Sequence, residues 1–214
     1  MLKGIIFDLD GVICFTDEYH YLAWKTIADE MGIPFDRTVN NRLRGVSRME
    51  SLEIILEKNP GPALTDEKKR ELAERKNGIY RESLGLMSEK DLSDEVRATL
   101  DALRARGLKL AIGSSSKNTP FILERIGLKG YFDAVSDGNN ITRSKPDPEV
   151  FLKAAEFLGL PAESCIVVED AVSGAQAGHA AGMRVACLGD ASDKGAGDWN
   201  LKSFGELLTV AEQA

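Results

Sequence analysis

Residues 7–15 read FDLDGVICF, the end of an apolar run followed by two carboxylates, Asp8 and Asp10, separated by one leucine. Side chains two apart on a strand point to the same side, so the two acids start out facing one way. The backbone is expected to leave the strand near Gly11. In open parallel sheets, ligands bind beyond the carboxyl ends of the strands, which is where this pair falls. Asp10-Gly11 is also a good turn dipeptide, so on this stretch alone a turn cap and a binding site are even alternatives.

The first strand covers about Leu2 to Asp8, and three later segments resemble it: LKLAIGSS (108–115), SCIVVED (164–170) and MRVACLG (183–189). YFDAVSD (131–137) is a weaker fifth candidate. Between them lie helical patterns with legible ends. SDEVRATLDALRARG has Ser93 as N-cap, acids in its first turn and Gly107 as its stop. NTPFILERIG runs from Asn118 to Gly127, DPEVFLKAAEFLG has Pro148 in its first turn and Gly159 after its last, and a final helix covers about Ser203 to Gln213. Apolar strands alternating with helices predict an α/β fold, a Rossmann-like parallel sheet covered on both faces.

Residues 16–88 break that rhythm with helical patterns only: DEYHYLAWKTIADEMG, SRMESLEIILEKN with a Ser47/Glu50 capping box, and TDEKKRELAERKNGIYRESLG. Pro60-Gly61-Pro62 marks a loop between two of them. The expected organisation is a core from residues 1–15 and 89–214 with a small all-helical cap domain, 16–88, inserted after the first strand. SGAQAGHAAG, with Gly174, Gly178 and Gly182 four apart, is read as a helix packed closely on the sheet.

Composition limits the function. The 214 residues suffice for one good core and a smaller appendage, with 43% apolar and 29% charged residues as in ordinary globular proteins. A net charge of −7 argues against nucleic-acid or anionic-membrane partners, which need clustered Lys and Arg. Cys14, Cys165 and Cys187 form no CxxC or Cys/His cluster and read as reduced, buried thiols. There is no signal-peptide pattern and no apolar run of membrane-spanning length. A cytoplasmic monomer is expected.

Other strand ends shift the balance for Asp8 and Asp10 towards a site. GSSSKN (113–118) offers hydroxyls and helix-start amides to an anion, and VVEDAVSG delivers Glu169 and Asp170. Carboxylates gathered at neighbouring strand ends are tolerable around a hard cation, and magnesium is the natural candidate. Lys145, in the loop RSKPDPEV, is either one more solvated lysine or the positive charge that orients an anionic nucleophile. Pro146 stiffens that loop.

DLDGV, the serine closing AIGSS, the Lys145 loop and VVEDA together resemble the haloacid dehalogenase superfamily of phosphotransferases. The resemblance implies that Asp8 is a nucleophile forming an aspartyl phosphate and Asp10 a general acid and base. Ser114 and Lys145 would hold the phosphoryl group, and Asp8, Asp10, Glu169 and Asp170 would hold Mg2+. In the helical insert, EYHYLAWK, RGVSRMES and ERKN resemble the β-phosphoglucomutase group of that superfamily. This implies cap contacts to a sugar phosphate from His20, Trp24, Gly45, Val46, Arg48, Ser51 and Lys76, and core contacts from Ser115, Ser116, Lys117 and Asn118. His20 would join the cap-core contact that positions Asp10, while Trp24 reads better as cap core on its spacing alone.

The reaction implied is β-D-glucose 1-phosphate to glucose 6-phosphate through β-glucose 1,6-bisphosphate. A sugar-phosphate phosphatase of the same superfamily is the alternative, sharing every core residue. A phospho-acceptor regulatory domain is a distant third, with no use for Asp10 or the arginine of the insert. Phe15 stands where the family commonly has an acid, with Thr16 retained after it. That departure bears on the hinge between core and cap.

Overall fold

The computed structural model describes residues 1–214. Six parallel strands form one sheet: β1 (Gly4–Phe7), β2 (Lys109–Gly113), β3 (Ala134–Ser136), β4 (Cys165–Glu169), β5 (Arg184–Cys187) and β6 (Trp199–Asn200). Their order is β3-β2-β1-β4-β5-β6, so β1 is central and the order reverses beside it. Gly4 pairs with Lys109 on one side and Cys165 on the other. The carboxyl ends of β1, β2 and β4 therefore meet, the position where a doubly wound sheet opens a crevice.

Both faces of the sheet are covered. On one, Ile5, Phe7, Ile112 and Val168 pack with Val96, Leu100 and Leu103 of α5 (Asp94–Ala105), Ile122 of α6 (Thr119–Arg125), and Leu207 and Val210 of α10 (Leu207–Gln213). On the other, Ile6, Ala111, Val167 and Val185 pack with Phe151 and Ala154 of α7 (Glu149–Leu158), Ala175 and Ala177 of α8 (Val172–Ala180), and Ala191 of α9 (Gly189–Asp193). Alternate residues of β1 thus serve opposite faces, which explains the unbroken apolar run. The Gly-rich segment behaves as expected, since a Cβ at Gly178 would sit 2.7 Å from Val185.

Between β1 and α5 lie four α-helices and no strand: α1 (Asp17–Glu30), α2 (Arg37–Asn41), α3 (Arg48–Leu56) and α4 (Asp66–Leu84). They carry an apolar cluster of their own, in which Trp24, Ile27, Leu52, Ile55 and Leu72 are buried. The Ser47/Glu50 capping box is formed at the start of α3. Three short elements escaped the sequence reading. α2 is capped by Asp36, α9 is one turn starting on Gly189, and β6 is two residues long in a Gly- and Asp-rich stretch. The last helix begins as a 3-10 turn, Phe204–Glu206. All three cysteines are free and buried, and no helix is long and apolar enough to cross a membrane.

Candidate active site

Strand pairing continues to the Asp8 amide, which donates to the Val168 carbonyl at 2.9 Å, and the chain then turns at Gly11 with φ +92°. Glycine is required there twice over, because a Cβ would also run into the Asp170 carboxylate. Asp8 and Asp10 both open onto a cleft of about 640 Å³ between the sheet and the helical segment.

Below Asp8 lies Lys145. Its ammonium is fully buried, donates to Asp8 at 2.6 Å and also bonds Glu169. Burial alone would lower its pKa, but the charges of Asp8 and Glu169 outweigh that and hold it well above the ordinary lysine range. Of the two sequence alternatives for Lys145, the solvated loop lysine is excluded. The second Glu169 oxygen accepts from the Asp170 and Ala171 amides at 2.9 and 3.0 Å.

Oxygens of Asp8, Glu169 and Asp170 lie within 4.8 Å of one another, all three residues buried. Burial first, then the charges of Glu169 and Asp8, push Asp170 up to about 8. Lys145 does not offset three negative charges, so an all-oxygen, acid-rich cluster fits a hard divalent cation such as Mg2+. Asp10, expected among the ligands, lies outside this carboxylate cluster. Its side chain is engaged by the Thr16 hydroxyl instead. Burial and then the Asp8 charge raise Asp10 to about 6, with Thr16 acting to lower it.

Thr16 therefore makes the direct contact to Asp10. His20 lies one turn farther along α1 against the Tyr80 ring, 4.0 Å between centroids and tilted by 33°, with Nδ1 2.8 Å from the Lys76 nitrogen. Gly45, Val46, Arg48, Ser51, Lys76, Trp24 and Ser114 to Asn118 all line the same cleft. Trp24 belongs to the apolar cluster of the helical segment and is also a wall of the cleft. Arg48, at the start of α3, is tied to Glu74 at 2.8 Å. The Asn118 amide donates to Asn77 at 2.9 Å, and its oxygen accepts from Arg81 at 3.1 Å, which leaves one N–H and one lone pair over.

These bonds belong to a set joining the helical segment to the core. The Ser115 hydroxyl donates to the Gly45 carbonyl and the Ser173 hydroxyl to the Arg44 carbonyl, both at 3.0 Å. Arg44 itself, not singled out in the sequence, donates to Asp170 at 3.2 Å and pairs with Asp17. The signal was present in RGVSRMES, one residue before the glycine, but nothing local distinguishes that arginine from a solvated one. The Phe15 side chain is exposed, and Asp17, two residues on, is the acid that pairs with Arg44.

A model of the haloacid dehalogenase-like hydrolases matches residues 2–182. The chain is 42% identical to a β-phosphoglucomutase of Bacillus subtilis over 183 residues, covering 85% of this chain and 81% of that one. It is 30% identical over 184 residues to a phosphorylated carbohydrates phosphatase of Thermotoga maritima, covering 85% and 82%. Its fold superposes with a TM-score of 0.93 on the crystal structure of a β-phosphoglucomutase from Clostridium difficile, at 33% identity and over 100% and 97% of the two chains. The four motifs, the sheet order and these matches agree: the chain is an enzyme of the haloacid dehalogenase-like hydrolase family.

Proposed function

We propose that the protein is a β-phosphoglucomutase, interconverting β-D-glucose 1-phosphate and glucose 6-phosphate through a phospho-aspartate on Asp8 and β-glucose 1,6-bisphosphate. One observation carries this reading: a single cleft has Asp8 with Asp10 at its floor and Arg48 with Lys117 also on its wall. A bisphosphate that must bind in either orientation needs two anion pockets, and a simple hydrolase needs one. The 42% identity to the Bacillus subtilis mutase supports the same reading. Residues 1–15 and 89–214 would act as the catalytic core, and 16–88 as the cap that closes over the sugar.

Asp8 holds one oxygen on Lys145 and offers the other to phosphorus. As its bond to phosphorus forms, the bond to the ester oxygen breaks, and Asp10 gives that oxygen a proton. In the return transfer Asp10 takes the proton of the attacking sugar hydroxyl. A carboxyl raised to about 6 exchanges protons readily near neutral pH. Ser114 lies at the β2 end beside Asp8, and its hydroxyl accepts from the Ser116 amide at 3.1 Å, which fixes the loop that would hold the phosphoryl oxygens. Asp8, Glu169 and Asp170 would hold Mg2+, whose charge would neutralise phosphoryl oxygen charge. Contacts between Ser115 and Gly45, and between Asn118 and α4, would tie cap closure to exclusion of water from the aspartyl phosphate.

A sugar-phosphate phosphatase is the second reading, favoured by the Thermotoga maritima relative. The two are separated by products. With β-glucose 1-phosphate, Mg2+ and a trace of the bisphosphate, a mutase yields glucose 6-phosphate; inorganic phosphate released at a comparable rate would falsify the first reading.

A further inference from the structure

Lys76 has an environment unlike that of the other lysines. It projects from α4, is 2% exposed and opens only onto the cleft. No carboxylate oxygen lies within ion-pair distance of its nitrogen. Its neighbours are aromatic or neutral: the nitrogen sits 4.4 Å from the Tyr80 ring centre, 5.1 Å from that of Trp24 and 2.8 Å from His20 Nδ1. The charged groups facing it are Arg48 from α3, which repels it, and Asp10 from the β1 end, which attracts it more weakly. Burial, then Arg48, lowers the amine to about 7, and burial with the neighbouring cations keeps His20 neutral. A desolvated amine beside another cation and within reach of a neutral imidazole is the arrangement of an activated nitrogen nucleophile.

We propose that Lys76 is a nucleophilic amine that forms a reversible imine with an aldehyde bearing a phosphate group, the phosphate being held by Arg48. The nitrogen lone pair attacks the aldehyde carbon while His20 Nδ1 accepts a hydrogen bond from the amine, and the protons the nitrogen sheds pass to the carbonyl oxygen. The carbonyl oxygen leaves as water with the two hydrogens the amine gives up. A C=N bond replaces C=O, and nothing is oxidised or reduced. An aldose 6-phosphate in its ring-opened form carries both required groups. Imine formation is thus a route by which such a sugar would block the cleft, whether the enzyme works as mutase or phosphatase.

The test uses the full-length protein with equimolar pyridoxal 5′-phosphate at pH 7.5, borohydride reduction and peptide mass spectrometry. An amine at about 7 is mostly neutral there, whereas an ordinary lysine is neutral about one part in a thousand, so Lys76 should be labelled at least about tenfold over exposed Lys58 and Lys90, even after loss through burial. Inorganic phosphate should protect it, and pyridoxal without phosphate should label it severalfold less. Lys76→Gln should remove the principal adduct and leave surface labelling unchanged, and His20→Asn should slow labelling at Lys76 alone. Label spread evenly over surface lysines, or concentrated on Lys117 in the same cleft, overturns the proposal, as does equal labelling by pyridoxal. The map on the unmodified chain decides even where a variant fails to fold.

Discussion

Replacing Lys145 by methionine tests the electrostatics of the site directly. The ammonium is fully buried and serves two buried carboxylates, Asp8 at 2.6 Å and Glu169. Methionine keeps much of the volume and removes the charge, so both partners remain in the interior with no cation. Removing one member of a buried pair costs about 3–5 kcal/mol. That corresponds to a fall in Tm of roughly 6–20 °C for a chain of this size. The assay is thermal melting followed by circular dichroism, with chelator at pH 7.5, at pH 5.5, and with excess Mg2+. Carboxyls raised in the folded state weaken it above their unfolded values near 4, and the penalty fades as pH falls through the folded values. Asp170 is already at about 8 with Lys145 present, and Glu169, raised by burial against the lowering charge of Lys145, rises further when that charge is removed. The deficit relative to the parent should therefore shrink at pH 5.5, and also when Mg2+ neutralises the cluster. A variant melting within 2 °C of the parent under chelator, or a deficit that grows at low pH, would refute the reasoning.

Three further outcomes are expected. The pH profile of kcat/KM should bend near 6, where Asp10 titrates, and Thr16→Val should move the bend upwards because Thr16 is the donor that lowers Asp10; an unmoved bend counts against Asp10 as the proton carrier. Gly174→Ala puts a Cβ into the Glu169 carboxylate and should cost about 1–3 kcal/mol as overpacking, read by urea denaturation, whereas Gly182→Ala with open space around it should show only backbone strain. Arg44→Ala removes the guanidinium from Asp170, so calorimetry should show Mg2+ binding more tightly; unchanged or weaker binding would mean that Arg44 does not compete for that carboxylate.

Most of the fold could be read from the chain because its signals are local. The apolar runs at Ile5, Leu110 and Val167 become β1, β2 and β4, and Ser47, Ser93 and Gly159 end or start helices where their chemistry says they should. β6 was missed because two residues among glycines and aspartates carry no period, and its pairing with β5 is supplied by tertiary context. In the site, Asp8, Asp10 and Lys145 stand in motifs, but what holds them does not. The engagement of Asp10 by Thr16 is a matter of which side chain reaches across the linker. The Arg44 bridge to Asp170 spans 126 positions. Partnerships at that separation leave no mark on either neighbourhood.

The central place of β1 also matters before the protein is complete. Ile5 lies between Leu110 and Ile166, so the first strand has no partner until β2 is made half way along the chain, and its second edge stays open until β4. Three consecutive apolar residues with two open edges are the kind of segment that joins other chains. The helices that follow it draw their cluster from Trp24 to Ala73, contiguous sequence that needs no distant strand. Throughout that interval Asp8 and Asp10 place two charges at the end of the waiting strand, where like charges on neighbouring chains repel. The acids proposed to carry phosphoryl group and proton in the finished enzyme thus also serve as gatekeepers of the nascent one.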